Sequence, residues 1–222
     1  MEKTRISLEI APEDYEIKTM ENILGKCIDG KIIINPNIVM YSRDIIDYIV
    51  LHELTHAASC NMNHQTEVVK TGFDTYPGED SNRGLTEGFT EVIANTGQPA
   101  LNDYESEWFI EESLVNLLIP LVGDKTMIRS FFGNKGTKDM EASLETIGYD
   151  NKKSCDLFRL IETNYKTRRS MERSNMLANV QNTLLDYLEA KLKKTEETRE
   201  VQRLINLFEQ FLLTEEKLSL NG

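Results

Sequence analysis

Ile49-Val50-Leu51-His52-Glu53-Leu54-Thr55-His56-Ala57-Ala58 is the stretch on which the reading of this chain turns. It lies within Arg43 to Ser59, which Ser42 precedes as a helix-capping residue, with Asp44 in the first turn and Ile46, Val50, Leu54 and Ala57 along one apolar stripe. That pattern predicts a helix. Residues four apart on a helix share a face, so His52 and His56 can aim two imidazoles at one metal ion, as tetrahedral zinc requires. Glu53 stands beside that face, where a carboxylate can take a proton from water and pass it to a leaving amine. With three histidines in 222 residues, chance placement of this pattern is rare.

A catalytic zinc needs a third protein ligand and an open position. A histidine six residues after His56 is ruled out, because Met62 stands there and Ser59 holds the matching glycine position. His64 is off that register by two and reads as a loop histidine. The candidate is Leu85-Thr86-Glu87-Gly88-Phe89-Thr90-Glu91. Glu87 and Glu91 share a helix face, so Glu87 is expected as the third ligand and Glu91 as the group that holds a ligand histidine from behind. The surrounding Leu85, Phe89, Val92 and Ile93 are apolar, and carboxylates in such a segment need a reason to sit near a core.

Working outward, Arg5 to Ile10 alternates as a strand, and Cys27 to Ile34 reads as a hairpin around Asp29-Gly30. Between them, Pro12 to Gly25 has helical spacing. Asn61 to Arg83 is polar, broken by Gly72, Pro77 and Gly78, and reads as a long connection that could cover a cleft. Gly84 to Asn95 reads as a second helix, and the chain beyond Pro99 is helix-rich without a convincing strand. Two lobes follow: residues 1–98 with a small sheet and both site helices, and residues 99–222 as a helical lobe. Leu185, Leu188 and Leu192, then Val201, Leu204, Phe208 and Phe211, suggest a helical hairpin packed on its own domain rather than a coiled-coil seam.

The net charge of -12 opposes attraction to nucleic acid or anionic lipid. No apolar run is long enough to cross a bilayer; the longest, Leu114 to Val122, is interrupted by Asn116 and Pro120. Cys27, Cys60 and Cys155 are dispersed and form no CxxC pair, and the N-terminus lacks a secretory apolar core. A cytoplasmic location is expected.

The pairing of His52-Glu53-Leu54-Thr55-His56 with Thr86-Glu87-Gly88-Phe89-Thr90-Glu91 resembles the gluzincins, zinc peptidases whose second site helix supplies a glutamate. Arg83 to Gly88 also resembles small bacterial proteins of this type. The resemblance spans roughly Ile45 to Asn95. It implies an α+β, zincin-like fold whose cleft lies between a sheet-plus-helix lobe and a helical lobe, a Zn2+ cofactor, and peptide or protein substrates. Thr86 stands where the family commonly has Asn, and 30 residues, positions 57 to 86, separate His56 from Glu87, more than in the best-known members. Peptide hydrolysis also needs a donor to the developing oxyanion, for which Tyr149, Tyr104 and Arg83 are the candidates. Two other readings compete: a zincin-fold protein that binds a partner without cleaving it, and a structural zinc site with His64, Cys60 or Asp74 as fourth ligand.

Overall fold

The computed structural model describes residues 2–3, 7–10, 23–28, 30–63, 68–76, 81–97, 109–167, 173–194, 202–203 and 205–206. The fold is α+β and mostly helical, with two small sheets in the N-terminal third. Strands β1 (Glu2–Lys3), β5 (Asn61–Asn63), β6 (Val68–Thr71) and β7 (Asp74–Tyr76) form an antiparallel sheet in the order β1-β5-β6-β7. Strands β2 (Ser7–Ile10), β3 (Gly25–Ile28) and β4 (Lys31–Ile34) form a mixed sheet, with β4 central, parallel to β2 and antiparallel to β3. The expected hairpin is present: Ile28 pairs with Lys31, and Gly30 takes φ 82°, the left-handed conformation its two-residue turn needs. The helix expected over Pro12 to Gly25 falls largely outside the described residues, as do Asp29, most of Val201 to Phe211, and both His64 and Tyr104.

Among the described residues the α-helices are α1 (Arg43–Ser59), α2 (Arg83–Gly97), α3 (Phe109–Val122), α4 (Asp124–Phe132), α5 (Lys138–Thr146), α6 (Asn151–Lys166) and α7 (Arg173–Lys194). Among the described residues no strand occurs after β7, and no helix is long and apolar enough to cross a membrane. The run Leu114 to Val122 is instead core: Leu114, Val115, Leu117, Leu118 and Leu121 are buried in a cluster that also takes in Leu157 and Ile161 of α6 and Leu184 and Leu188 of α7. Leu185 and Leu192 pack against the same cluster, so the leucine repeat of α7 serves its own core. A second cluster joins Ile32, Ile34 and Ile38 to Tyr48, Ile49 and Ala57 of α1. Helix α2 stands between them, giving Leu85 and Phe89 to the first and Ala94 to the second.

The segment Asn61 to Arg83 is not a long connection but carries three of the four strands of the first sheet. Its buried positions include Asn61 and Lys70, so polar side chains point inward and mask the two-residue period of a strand. Lys70 is 1% exposed, and its ammonium donates to the carbonyls of Gly72, Ser130 (3.1 Å) and Phe131 (3.0 Å). Two of these lie in the last turn of α4, where a cation complements the exposed carbonyls of the helix end. Lys70→Met would keep the bulk and leave those carbonyls without their buried donor. We expect it to lower unfolding free energy by about 2–3 kcal/mol, read from the urea midpoint at unchanged m-value.

Candidate metal centre

Helix α1 buries Tyr48, Ile49, His52, Glu53, Thr55, His56, Ala57 and Ser59. Leu54, placed by its spacing on the apolar stripe, is 39% exposed. The helix therefore turns its polar, chemistry-bearing side inward, against β3 and α2, and the simple stripe does not describe its buried face. Ser42 sits at the N-cap position, without a side-chain bond to the helix.

Across from His52 and His56, helix α2 presents Glu87. His56 Nε2 lies 3.1 Å from His52 Nε2 and 3.1 Å from Glu87 Oε2, and His52 Nε2 lies 3.6 Å from the same oxygen. Four ligand atoms held tetrahedrally at ~2.05 Å from one ion stand roughly 3.3 Å apart, so this triangle has the dimensions of a metal-binding face. These three residues are the only group of His, Cys, Asp and Glu side chains among the described residues that could hold a metal ion. Cys60 and Asp74 are not part of it. Asp74 Oδ1 instead accepts from the backbone of Thr75 and Asn82.

Glu91 lies one turn beyond Glu87, with Oε1 3.2 Å from His52 Nδ1, and its Oε2 accepts from the Tyr48 hydroxyl. A proton on Nδ1 directed at Glu91 leaves the Nε2 lone pair of His52 free to face Glu87. Two acceptors facing each other at 3.6 Å then call for a cation between them, a metal ion or, in metal-free protein, a second imidazole proton. Tyr48 completes this arrangement and was not singled out from the sequence, although the step from 48 to 52 to 56 places it on the histidine stripe.

The charges of the site follow from burial and neighbours. Burial pushes Glu87 up, but the charge of His56, hydrogen bonds from both histidines and the charge of His52 together hold it well below the usual carboxylate range. Glu53 goes the other way. Burial pushes its carboxyl up to about 7, with the charge of Glu87 adding to the rise while His52 and the Cys27 backbone N–H oppose it. The Cys27 contact comes from β3, which passes so close that a Cβ on Gly25 would stand 2.8 Å from Glu53 Cγ.

The two site helices are tied by the turn between β6 and β7. Gly72 N–H donates to Ser59 Oγ of α1 at 2.8 Å, and Phe73 N–H donates to Thr86 Oγ1 of α2 at 3.0 Å. Ser59 in turn donates to the His56 carbonyl, and Thr86 immediately precedes Glu87. Gly72 has φ 61°, and a Cβ there would lie 2.6 Å from Thr86 and 2.7 Å from Phe131, so glycine is required on both counts.

Of the three oxyanion-donor candidates, Arg83 lies beside the site, its Nε 3.8 Å from Glu87 Oε1 and its side chain 62% exposed. The Tyr149 hydroxyl donates to the Asp186 carbonyl and its ring stacks on Tyr187 at 3.5 Å. These contacts tie Tyr149 to α7, not to the histidines.

In metal-free protein, Glu53 keeps its proton in the folded state up to about pH 7, whereas the unfolded chain releases it near 4.5. The stability from neutral Glu53 is present below 4.5 and is lost as pH rises to 7. Glu53→Gln should therefore raise the melting temperature of chelator-treated protein at pH 8 by roughly 4–8 °C, on the order of 2 kcal/mol. At pH 4 the difference should shrink to nearly nothing in the same thermal scans.

Residues 1–77 match the protein family described as YgjP-like, metallopeptidase domain. No curated protein and no solved structure matches the chain. The matched stretch carries His52, Glu53 and His56 and runs through the clamping turn at Gly72, but it ends before Glu87. Over its first 77 residues, then, the chain is similar to a metallopeptidase domain, a relationship that implies a metal cofactor and peptidase chemistry.

Proposed function

We propose that this chain is a zinc-dependent peptidase of the gluzincin type, with His52, His56 and Glu87 holding the metal and Glu53 acting as general base and then general acid. The observation that carries this reading is the triangle of His52 Nε2, His56 Nε2 and Glu87 Oε2, with sides of 3.1, 3.1 and 3.6 Å, next to a carboxyl raised to about 7. A zinc ion held there supplies Lewis acidity toward a carbonyl and lowers the pKa of a water.

Glu53 takes one proton from the attacking water as the new C–O bond forms. It returns that proton to the nitrogen as the C–N bond breaks. Near the positive charge of a bound zinc, this carboxyl is drawn back from its metal-free value of about 7 toward the ionised form that accepts the proton. The Cys27 N–H fixes Glu53 from β3, and Gly25 leaves the room in which it moves. Glu91, backed by Tyr48, holds His52 in the tautomer that a metal needs.

A peptide substrate is supported by β3. Among the described residues it is an edge strand of its sheet, and it lies against Glu53. The Leu24 carbonyl is turned toward β4, accepting from Asn35 N–H, so the alternate residues Gly25 and Cys27 turn their backbone groups outward. Cys27 N–H is taken by Glu53, so an extended peptide laid along that edge would pair with Gly25 beside the base. Arg83, exposed and adjacent to Glu87, is the described oxyanion-donor candidate nearest the metal residues.

The decisive experiment measures zinc per chain by elemental analysis and cleavage of a broad fluorogenic peptide library. Wild type should bind one zinc and cleave. Glu53→Gln should keep the zinc and lose about 10²–10⁴-fold in rate. His56→Ala and Glu87→Ala should lose the zinc on dialysis. Stoichiometric zinc with no cleavage of any peptide would refute the peptidase reading.

A further inference from the structure

Helix α2 carries Glu87 and Glu91, and its first turn contains no acidic residue of its own. The exposed N–H groups of a helix start need acceptors. One comes from 78 residues away: Gly84 N–H donates to Glu162 Oε2 of α6 at 3.0 Å. The other oxygen of the same carboxylate accepts from the Ser81 hydroxyl at 3.0 Å. Glu162 is 6% exposed, and at its outer side Lys166 Nζ lies 3.4 Å from Oε1. A buried carboxylate at this place meets both the unpaired donors and the positive end of the helix dipole.

The seat is also shaped sterically. A Cβ on Gly84 would come within 2.8 Å of Tyr165 Cβ and 3.3 Å of the Ile161 carbonyl, so α2 starts in direct contact with the backbone of α6. Gly84 is three residues before Glu87, just under one helical turn. A shift or fraying of that turn moves the Glu87 carboxylate away from His52 and His56. The opposite side of the helix start is held by Asp74 of β7, which accepts from Asn82 N–H, so the β-hairpin and the helical half grip one end of α2 between them.

We propose that Glu162 is a positioning residue for the metal centre: through Gly84 and Ser81 it fixes the first turn of α2 and thereby sets the affinity of the site for its ion. This rests on the metal-binding reading of His52, His56 and Glu87, and it makes the helical half a working part of the metal site rather than a neighbour of it.

The test is zinc affinity of the folded full chain, from competition with a chromophoric chelator well below the melting temperature. The visible spectrum of the Co2+-substituted protein reports ligand geometry. Glu162→Ala should weaken zinc binding by about tenfold, at the lower end of what outer support of a metal ligand contributes, and should alter the Co2+ bands. Glu162→Gln keeps an oxygen for Gly84 and an amide for Ser81, and should stay within about threefold of wild type despite the lost charge. Wild-type affinity in folded Glu162→Ala overturns the proposal while leaving the metal site standing. If that variant fails to fold, Glu162→Asp, too short to reach Gly84, decides: weakened binding supports the proposal and unchanged binding overturns it. Wild-type protein that binds no zinc overturns the metal reading and this proposal with it.

Discussion

The structure depends on holding two helices at one separation. Nε2 of His52 and His56 belongs to α1 and Oε2 of Glu87 to α2, and their mutual distances of 3.1 to 3.6 Å leave a tolerance of a few tenths of an ångström for a shared ion. Apolar packing alone is too forgiving for that, since side chains slide against one another at small cost. Directional bonds supply the missing precision. Gly72 N–H to Ser59 and Phe73 N–H to Thr86 connect both helices to adjacent backbone amides of a single turn. Consecutive planar amides differ only by one φ/ψ pair, so the two contacts are set relative to each other by the conformation of Gly72.

The same arrangement explains why so much polarity is buried. Glu53, Glu87, Glu91 and Lys70 are all buried, and burying a charge without partners costs several kcal/mol. Each is answered by specific groups: Glu87 by two histidines, Glu91 by His52 and Tyr48, Lys70 by three carbonyls. Glu53 is the exception. Its contacts do not balance its burial and its carboxyl rises to about 7, an imbalance in keeping with the general-base role proposed for it.

What the sequence disclosed and what it hid divide along the range of the interactions. The steps from His52 to His56 and from Glu87 to Glu91 are four residues long, and helical geometry alone brings each pair to one face. The Asp29-Gly30 hairpin is equally local. Strands β5 to β7 were hidden because Lys70 and Asn61 face inward, and their polarity counts as exposure in any periodicity argument. Leu54 misled in the reverse sense, as an apolar residue on the open side of α1. The support from Glu162 to Gly84 spans 78 positions, and no spacing rule reaches that far. Tyr149 had an aromatic hydroxyl suited to an oxyanion, but its partners Asp186 and Tyr187 on α7 could be known only from the packing.

The two features that set the chain apart from the gluzincins it resembles, a threonine at position 86 and 30 residues between His56 and Glu87, meet in one place. The extra chain folds into β5, β6 and β7, and its last turn reaches α2 at Thr86. A threonine hydroxyl can do two things there that suit a short span: it accepts from Phe73 N–H and donates back to the Asn82 carbonyl at 3.1 Å, closing the first turn of its own helix. The compact threonine side chain lets Gly72 approach until a Cβ would stand 2.6 Å from its methyl carbon. A longer side chain at 86 would push the turn outward, and with it the bond from Gly72 to Ser59 that fixes the end of the histidine helix. The strands and the threonine are thus two halves of one joint. That joint connects the stretch similar to a metallopeptidase domain, residues 1–77, to the helix that bears Glu87.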